Sequence, residues 1–152
     1  MAADDWNGDG RPDLLSKQDD RTVWLHPGRG TGGTGTPRSL GDVGGATAVT
    51  AVGLWDRDGF PDLVTREVDG TLPLWPGRGG KPLDTGVPLL GGRGFDRYDR
   101  ILGAGDLTGD GRPDLLVRSS SQGKSWILPG SRTGVGERIR VAGGWAGYTL
   151  IG

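Results

Sequence analysis

The stretch Asp5-Trp6-Asn7-Gly8-Asp9-Gly10-Arg11-Pro12-Asp13 decides the fold, because the chain writes it three times. It returns as Leu54-Trp55-Asp56-Arg57-Asp58-Gly59-Phe60-Pro61-Asp62, and again as Asp106-Leu107-Thr108-Gly109-Asp110-Gly111-Arg112-Pro113-Asp114. Each copy runs into an apolar stretch: Leu14-Leu15, Leu63-Val64 and Leu115-Leu116-Val117. The closing aspartates lie 49 and 52 residues apart. A period of roughly fifty residues marks a repeat architecture, so one blade-sized unit has to be explained.

Within a unit the apolar runs are three to six residues long and bounded by Gly, Pro, Asp or Ser, with no helical period. In the first unit they predict strands over 13–17, 22–26 and 37–40, then 46–53 leading into the second acidic loop. The second unit repeats this at 62–66, 70–75, 86–90 and 99–103. The third does so at 114–118, 124–128, 138–141 and 148–151. Pro27-Gly28, Pro76-Gly77 and Pro129-Gly130 end the second strand of each unit, and Phe95 with Tyr98 returns as Trp145 with Tyr148. Four short antiparallel strands per unit is the content of one propeller blade. The expected fold is therefore all-β: one propeller segment, residues 1–152, of three four-stranded antiparallel blades at about 1–53, 54–103 and 104–152.

Read this way, the first blade lacks its leading strand and residues 148–151 form a spare one. An uncovered strand edge is a template for pairing. Closed propellers use about four to eight blades. The expectation is a homo-oligomer by strand exchange, a dimer giving about six blades with cyclic symmetry. A crop from a longer propeller is the plainer alternative.

Composition narrows the rest. Of 152 residues 32 are glycine, about three times the usual share. They fall between short apolar runs, which reads as turns and not disorder. A net charge of −1 with scattered Lys and Arg gives no case for nucleic acid or an anionic membrane. No run reaches transmembrane length, and the start of the chain has no signal-peptide pattern. The lack of cysteine excludes disulfides, thiolate metal sites and a thiol nucleophile.

The acidic loops place oxygen-bearing residues at alternate positions, which is how a chain wraps a hard cation such as Ca2+. In the first loop these are Asp5, Asn7, Asp9 and Asp13, with the carbonyl of Arg11. In the third they are Asp106, Thr108, Asp110 and Asp114, with the carbonyl of Arg112. The second has Asp56, Asp58, Asp62 and the carbonyl of Phe60, but Leu54 replaces the first aspartate, so a weaker or empty site is expected there. An EF-hand is excluded because Ser16 stands where its glutamate belongs. Ordinary Asx turns are the bland alternative.

The three acidic loops with Gly109-Asp110-Gly111-Arg112-Pro113-Asp114-Leu115-Leu116 resemble the FG-GAP/VCBS repeats. These are the calcium-binding propeller repeats also found in integrin α subunits, and the wording is similar to repeats of secreted actinobacterial proteins. The resemblance covers essentially the whole chain. It implies a β-propeller, calcium in the loops at the positions named above, and an extracellular setting. It does not imply one activity.

Other features are weaker. Gly28-Arg29-Gly30-Thr31-Gly32-Gly33 matches a dinucleotide fingerprint only in letters, since Pro37 and a strand follow where a helix must begin. His26, the only histidine, sits at a strand end, where a surface role is expected, and no catalytic constellation surrounds it, so no enzymatic activity is expected. Trp6 and Trp55 share one slot in the acidic loops. Inter-blade packing is the first reading, and an exposed platform for a sugar the second. The functional expectation is a non-enzymatic calcium-binding scaffold or binding module with a protein or glycan ligand. The alternatives are a lectin-like module, or an accessory or engineered piece of a larger secreted protein.

Overall fold

Apolar runs too short for helices, separated by glycine turns, close on themselves as antiparallel meanders. A computed structural model describes residues 2–89, 91, 93–119 and 121–143. The first sheet contains β1 (Ala2–Asp4), β2 (Asp13–Lys17), β3 (Thr22–His26) and β4 (Arg38–Asp42) in that order. The second contains β5 (Ala48–Gly53), β6 (Asp62–Arg66), β7 (Pro73–Trp75) and β8 (Val87–Pro88). The third contains β9 (Arg100–Gly103), β10 (Leu115–Ser119), β11 (Lys124–Leu128) and β14 (Ile139–Arg140). Between them lie a 3-10 turn at Phe95–Arg97 and a small hairpin of β12 (Gly130–Ser131) with β13 (Gly134–Val135).

The three predicted blades are thus three four-stranded antiparallel sheets. One expectation is corrected. The first sheet has a leading strand, because Ala2, Ala3 and Asp4 pair with Leu15, Leu14 and Asp13. Three residues ahead of the acidic loop suffice to occupy that edge, although β5 is twice as long. The predicted strand at 148–151 lies outside the described residues. β7 is also shorter than expected, since Pro73 has no N–H to extend the ladder.

In the second and third sheets the leading face meets the sheet before, and in the first and second the trailing face meets the sheet after. Leu15, Val23, Leu25 and Leu40 on the first trailing face share a core with Leu63 of the second leading face, and Ala51 and Trp75 pack against it. Val64, Leu72, Leu74 and Leu89 on the second trailing face share another core with Ile101, Leu115, Val117, Trp126 and Leu128 of the third leading face. Edge-to-face contacts of Tyr98 with Phe95 (5.4 Å) and with Trp126 (5.7 Å) add directionality to this seam. The seam is tight at its innermost strands. A Cβ on Gly103 would lie 2.0 Å from the Ala51 carbonyl oxygen, and the Gly103 N–H donates to Thr50 Oγ1 at 3.0 Å.

Trp6 and Trp55 seal these seams. They are 2% and 1% exposed and belong to the first and second core respectively. The reading of either as an exposed sugar platform is therefore corrected. An indole in an acidic loop at the sheet end has a hydrophobic wedge beside it to fill, and burying it there is strongly favourable.

Candidate metal centre

Each loop is organised by its last residue. Asp13, Asp62 and Asp114 are fully buried. Asp13 Oδ2 accepts the N–H groups of Trp6 and Asn7, both at 3.1 Å. Asp114 Oδ2 accepts those of Leu107 and Thr108, both at 2.8 Å. Asp62 Oδ2 accepts the N–H of Asp56 at 3.1 Å. The other oxygen reaches across the blade to the glycine that ends the second strand: Gly28 at 2.8 Å, Gly77 at 2.8 Å and Gly130 at 3.0 Å. Those glycines have no alternative. A Cβ there would lie 1.9 to 2.0 Å from the carbonyl oxygen of Pro12, Pro61 or Pro113.

The first and third loops then satisfy themselves. Asp5 Oδ1 accepts the N–H groups of Gly8 (2.8 Å) and Asp9 (3.0 Å), and Oδ2 that of Gly10 (2.8 Å). Asp106 does the same for Gly109 (2.7 Å), Asp110 (3.0 Å) and Gly111 (2.8 Å). Asn7 Nδ2 and Thr108 Oγ1 donate to the closing aspartates, at 3.2 and 3.4 Å. Asp9 and Asp110 accept the N–H groups of Arg11 (3.0 Å) and Arg112 (2.9 Å).

Of the positions at which the second loop departs from the other two, two change how its carboxylates are placed and compensated. Leu54 supplies no cap, and Asp56 stands where the other loops have a side-chain donor. Among the described residues, Asp56 and Asp58 accept only the N–H groups two residues on, Asp58 at 2.9 Å and Phe60 at 2.8 Å. One carboxylate oxygen from each of Asp56, Asp58 and Asp62 lies within 4.8 Å of the others, the one such acidic group among the described residues. Burial, with the neighbouring Asp56 and Asp58 charges adding to it, pushes the Asp62 carboxyl up to about 6, against the pull of its two backbone donors. Backbone strain marks the same loop: Arg57 holds φ +66°, where Gly8 and Gly109 hold +78°. Its guanidinium crosses the seam to the Gly111 carbonyl.

This donor set fits a hard cation. It offers several carboxylate oxygens, one of them buried and short of compensation. The sequence ranked this loop lowest, since counting carboxylates takes no notice of which ones the backbone already uses.

The sequence reading also separated His26 from any partner. Ser16 Oγ lies 2.8 Å from His26 Nε2. The same diagonal recurs in the second blade, where Trp75 Nε1 donates to Thr65 Oγ1 at 3.0 Å. A pairing repeated with an indole in place of the imidazole is a packing device of the leading face.

Residues 55–117 match the family model of the FG-GAP-like repeat. This chain carries an FG-GAP-like repeat. The matched stretch opens at Trp55 inside the second acidic loop and closes at Val117 in β10, so it takes in β6 to β8 of the second sheet, β9 and the whole third loop, and leaves out β5. Its β-propeller-like character agrees with the stacked four-stranded sheets. No curated protein sequence matches the chain.

Proposed function

We propose that the chain is a non-enzymatic, calcium-binding β-propeller module that serves as a binding or scaffold unit. The convergence of Asp56, Asp58 and Asp62 carries the calcium reading. A bound cation would neutralise that cluster and tie the loop into the second blade, a stabilising role with no reaction attached. Asp5, Asp9 and Asp13, with Asp106, Asp110 and Asp114, provide further acidic loops that an ion could remodel. An extracellular setting, implied by the FG-GAP resemblance, suits such sites, since extracellular modules work at high calcium. Among the described residues no helix is long and apolar enough to cross a membrane. The glycan reading loses its main support with Trp6 and Trp55 buried.

Calorimetric titration of calcium into EDTA-stripped protein tests this. Saturable binding that Asp56→Asn with Asp58→Asn abolishes supports the reading. A flat titration, with a melting temperature indifferent to EDTA, ends it.

A further inference from the structure

We propose that the trailing face of the third blade is the seat for the leading face of the first blade of a second copy of this chain. The chain itself shows what covers a trailing face, because it contains that junction twice. At the first seam Trp6, Leu15 and Leu25 are 2%, 5% and 0% exposed; at the second Trp55, Val64 and Leu74 are 1%, 1% and 5% exposed. By register the third blade's equivalents are Leu107, Leu116 and Ile127. Leu107 is 51% exposed, and Leu116 and Ile127 are only half-buried. With Leu102, Ala104 and Val141 they line an apolar groove of about 440 Å³.

The matching half is at the other end. Leu14 occupies the register position of Leu63 and Leu115, which are 2% and 0% exposed, yet it is 36% exposed. Beside it Ser16, Trp24 and His26 are half-buried. The Ser16–His26 contact takes the position of Thr65–Trp75, and Thr65 is fully buried in the seam below the first blade. The first blade therefore presents the leading-face pattern that a trailing face receives elsewhere in the chain. Leu107 would meet the second copy's Leu14 as Trp6 shares a core with Leu63 and as Trp55 shares one with Leu115. Two copies joined this way have two identical seams and close with two-fold symmetry at six blades, inside the range of about four to eight for propellers. The copies meet through blade faces, with no strand exchanged. The inference rests on the propeller reading and not on calcium.

Sedimentation equilibrium at micromolar concentration tests it. The expected mass is twice the 15.9 kDa chain mass, with and without EDTA. Leu14→Glu and Leu107→Glu each shift it to the single-chain mass, with the strand circular-dichroism spectrum retained. Because the chain has no cysteine, a mixture of Leu14→Cys chains and Leu107→Cys chains with a short bis-maleimide gives a covalent pair that neither variant forms alone. A single-chain mass for the unsubstituted protein assigns the groove to another occupant and overturns the proposal. Self-coupling of the Leu14→Cys chain would overturn the seam. A flat calcium titration of the unsubstituted protein with the double mass intact would end the calcium reading alone.

Discussion

Gly77 donates its backbone N–H to Asp62 Oδ1 at 2.8 Å, and this contact is possible only because residue 77 has no side chain. A β-carbon would sit 2.0 Å from the Pro61 carbonyl oxygen. The start of β6 and the end of β7 are thus locked together by one buried carboxylate. Gly77→Ala forces them apart and strands the carboxylate. We expect a loss of about 2–3 kcal/mol in urea unfolding, with similar losses for Gly28→Ala and Gly130→Ala. A loss no larger than that of Gly45→Ala, where a Cβ meets only Glu67 Oε2 at 3.9 Å, would show that the contact is not structural.

Asp62 gives a pH dependence of defined sign. Its folded-state pKa, about 6, lies above the ordinary carboxylate value of 3.8. The folded state therefore holds a proton that the unfolded chain releases, and stability from this group falls as pH rises from about 4 to 6. In EDTA the melting temperature should decline across that window. Carboxyl-carbon NMR should show one aspartate titrating near 6, and its loss in Asp62→Asn assigns it. A curve without such a group contradicts the burial argument.

Asp5, at position one of the first loop, and Asp58, at position five of the second, predict different outcomes for similar-looking substitutions. Asp5→Ala removes acceptors from three backbone N–H groups, so it should cost about 1–2 kcal/mol even in EDTA. Asp58→Ala removes one acceptor and relieves repulsion on Asp62. It should leave EDTA-stripped stability within about 0.5 kcal/mol, while weakening calcium binding. Chemical denaturation of both variants with and without calcium separates the two roles.

Trp55→Ala opens the seam between the second and third blades. We expect it to cost about 3–5 kcal/mol, measured by thermal or urea unfolding. A stability change below about 1 kcal/mol would return the indole to the surface.

Much of this was legible in the residues. The strands at 13–17, 22–26, 62–66 and 124–128 have the bounds read from the residues, because short apolar runs punctuated by turn residues leave a plain signature. Ala2–Asp4 was missed because Ala-Ala-Asp carries no strand pattern; its pairing is imposed by the edge of β2. Trp6 and Trp55 were assigned to packing first, and the structure agrees. Their alternative as a sugar platform came from their place in hydrophilic loops, where sequence says nothing of the wedge next door. The site was harder. All three loops contain acidic residues, but how many N–H groups each carboxylate accepts, three for Asp5 and one for Asp58, is set by the folded loop and is not revealed by spacing alone. The Pro-Gly pairs were visible as punctuation, and their cause, a carbonyl oxygen under the missing Cβ, was not.

The closing aspartates have a consequence for how such a chain can grow. Among the described residues, every donor to Asp13, Asp62 and Asp114 comes from the same blade as the carboxylate. A duplicated segment of about fifty residues brings its own polar partners along. What must suit the neighbours is its two apolar faces and the few contacts that cross a seam, such as Gly103 on Thr50. Gene duplication could therefore lengthen the array one cassette at a time without ever stranding a buried charge.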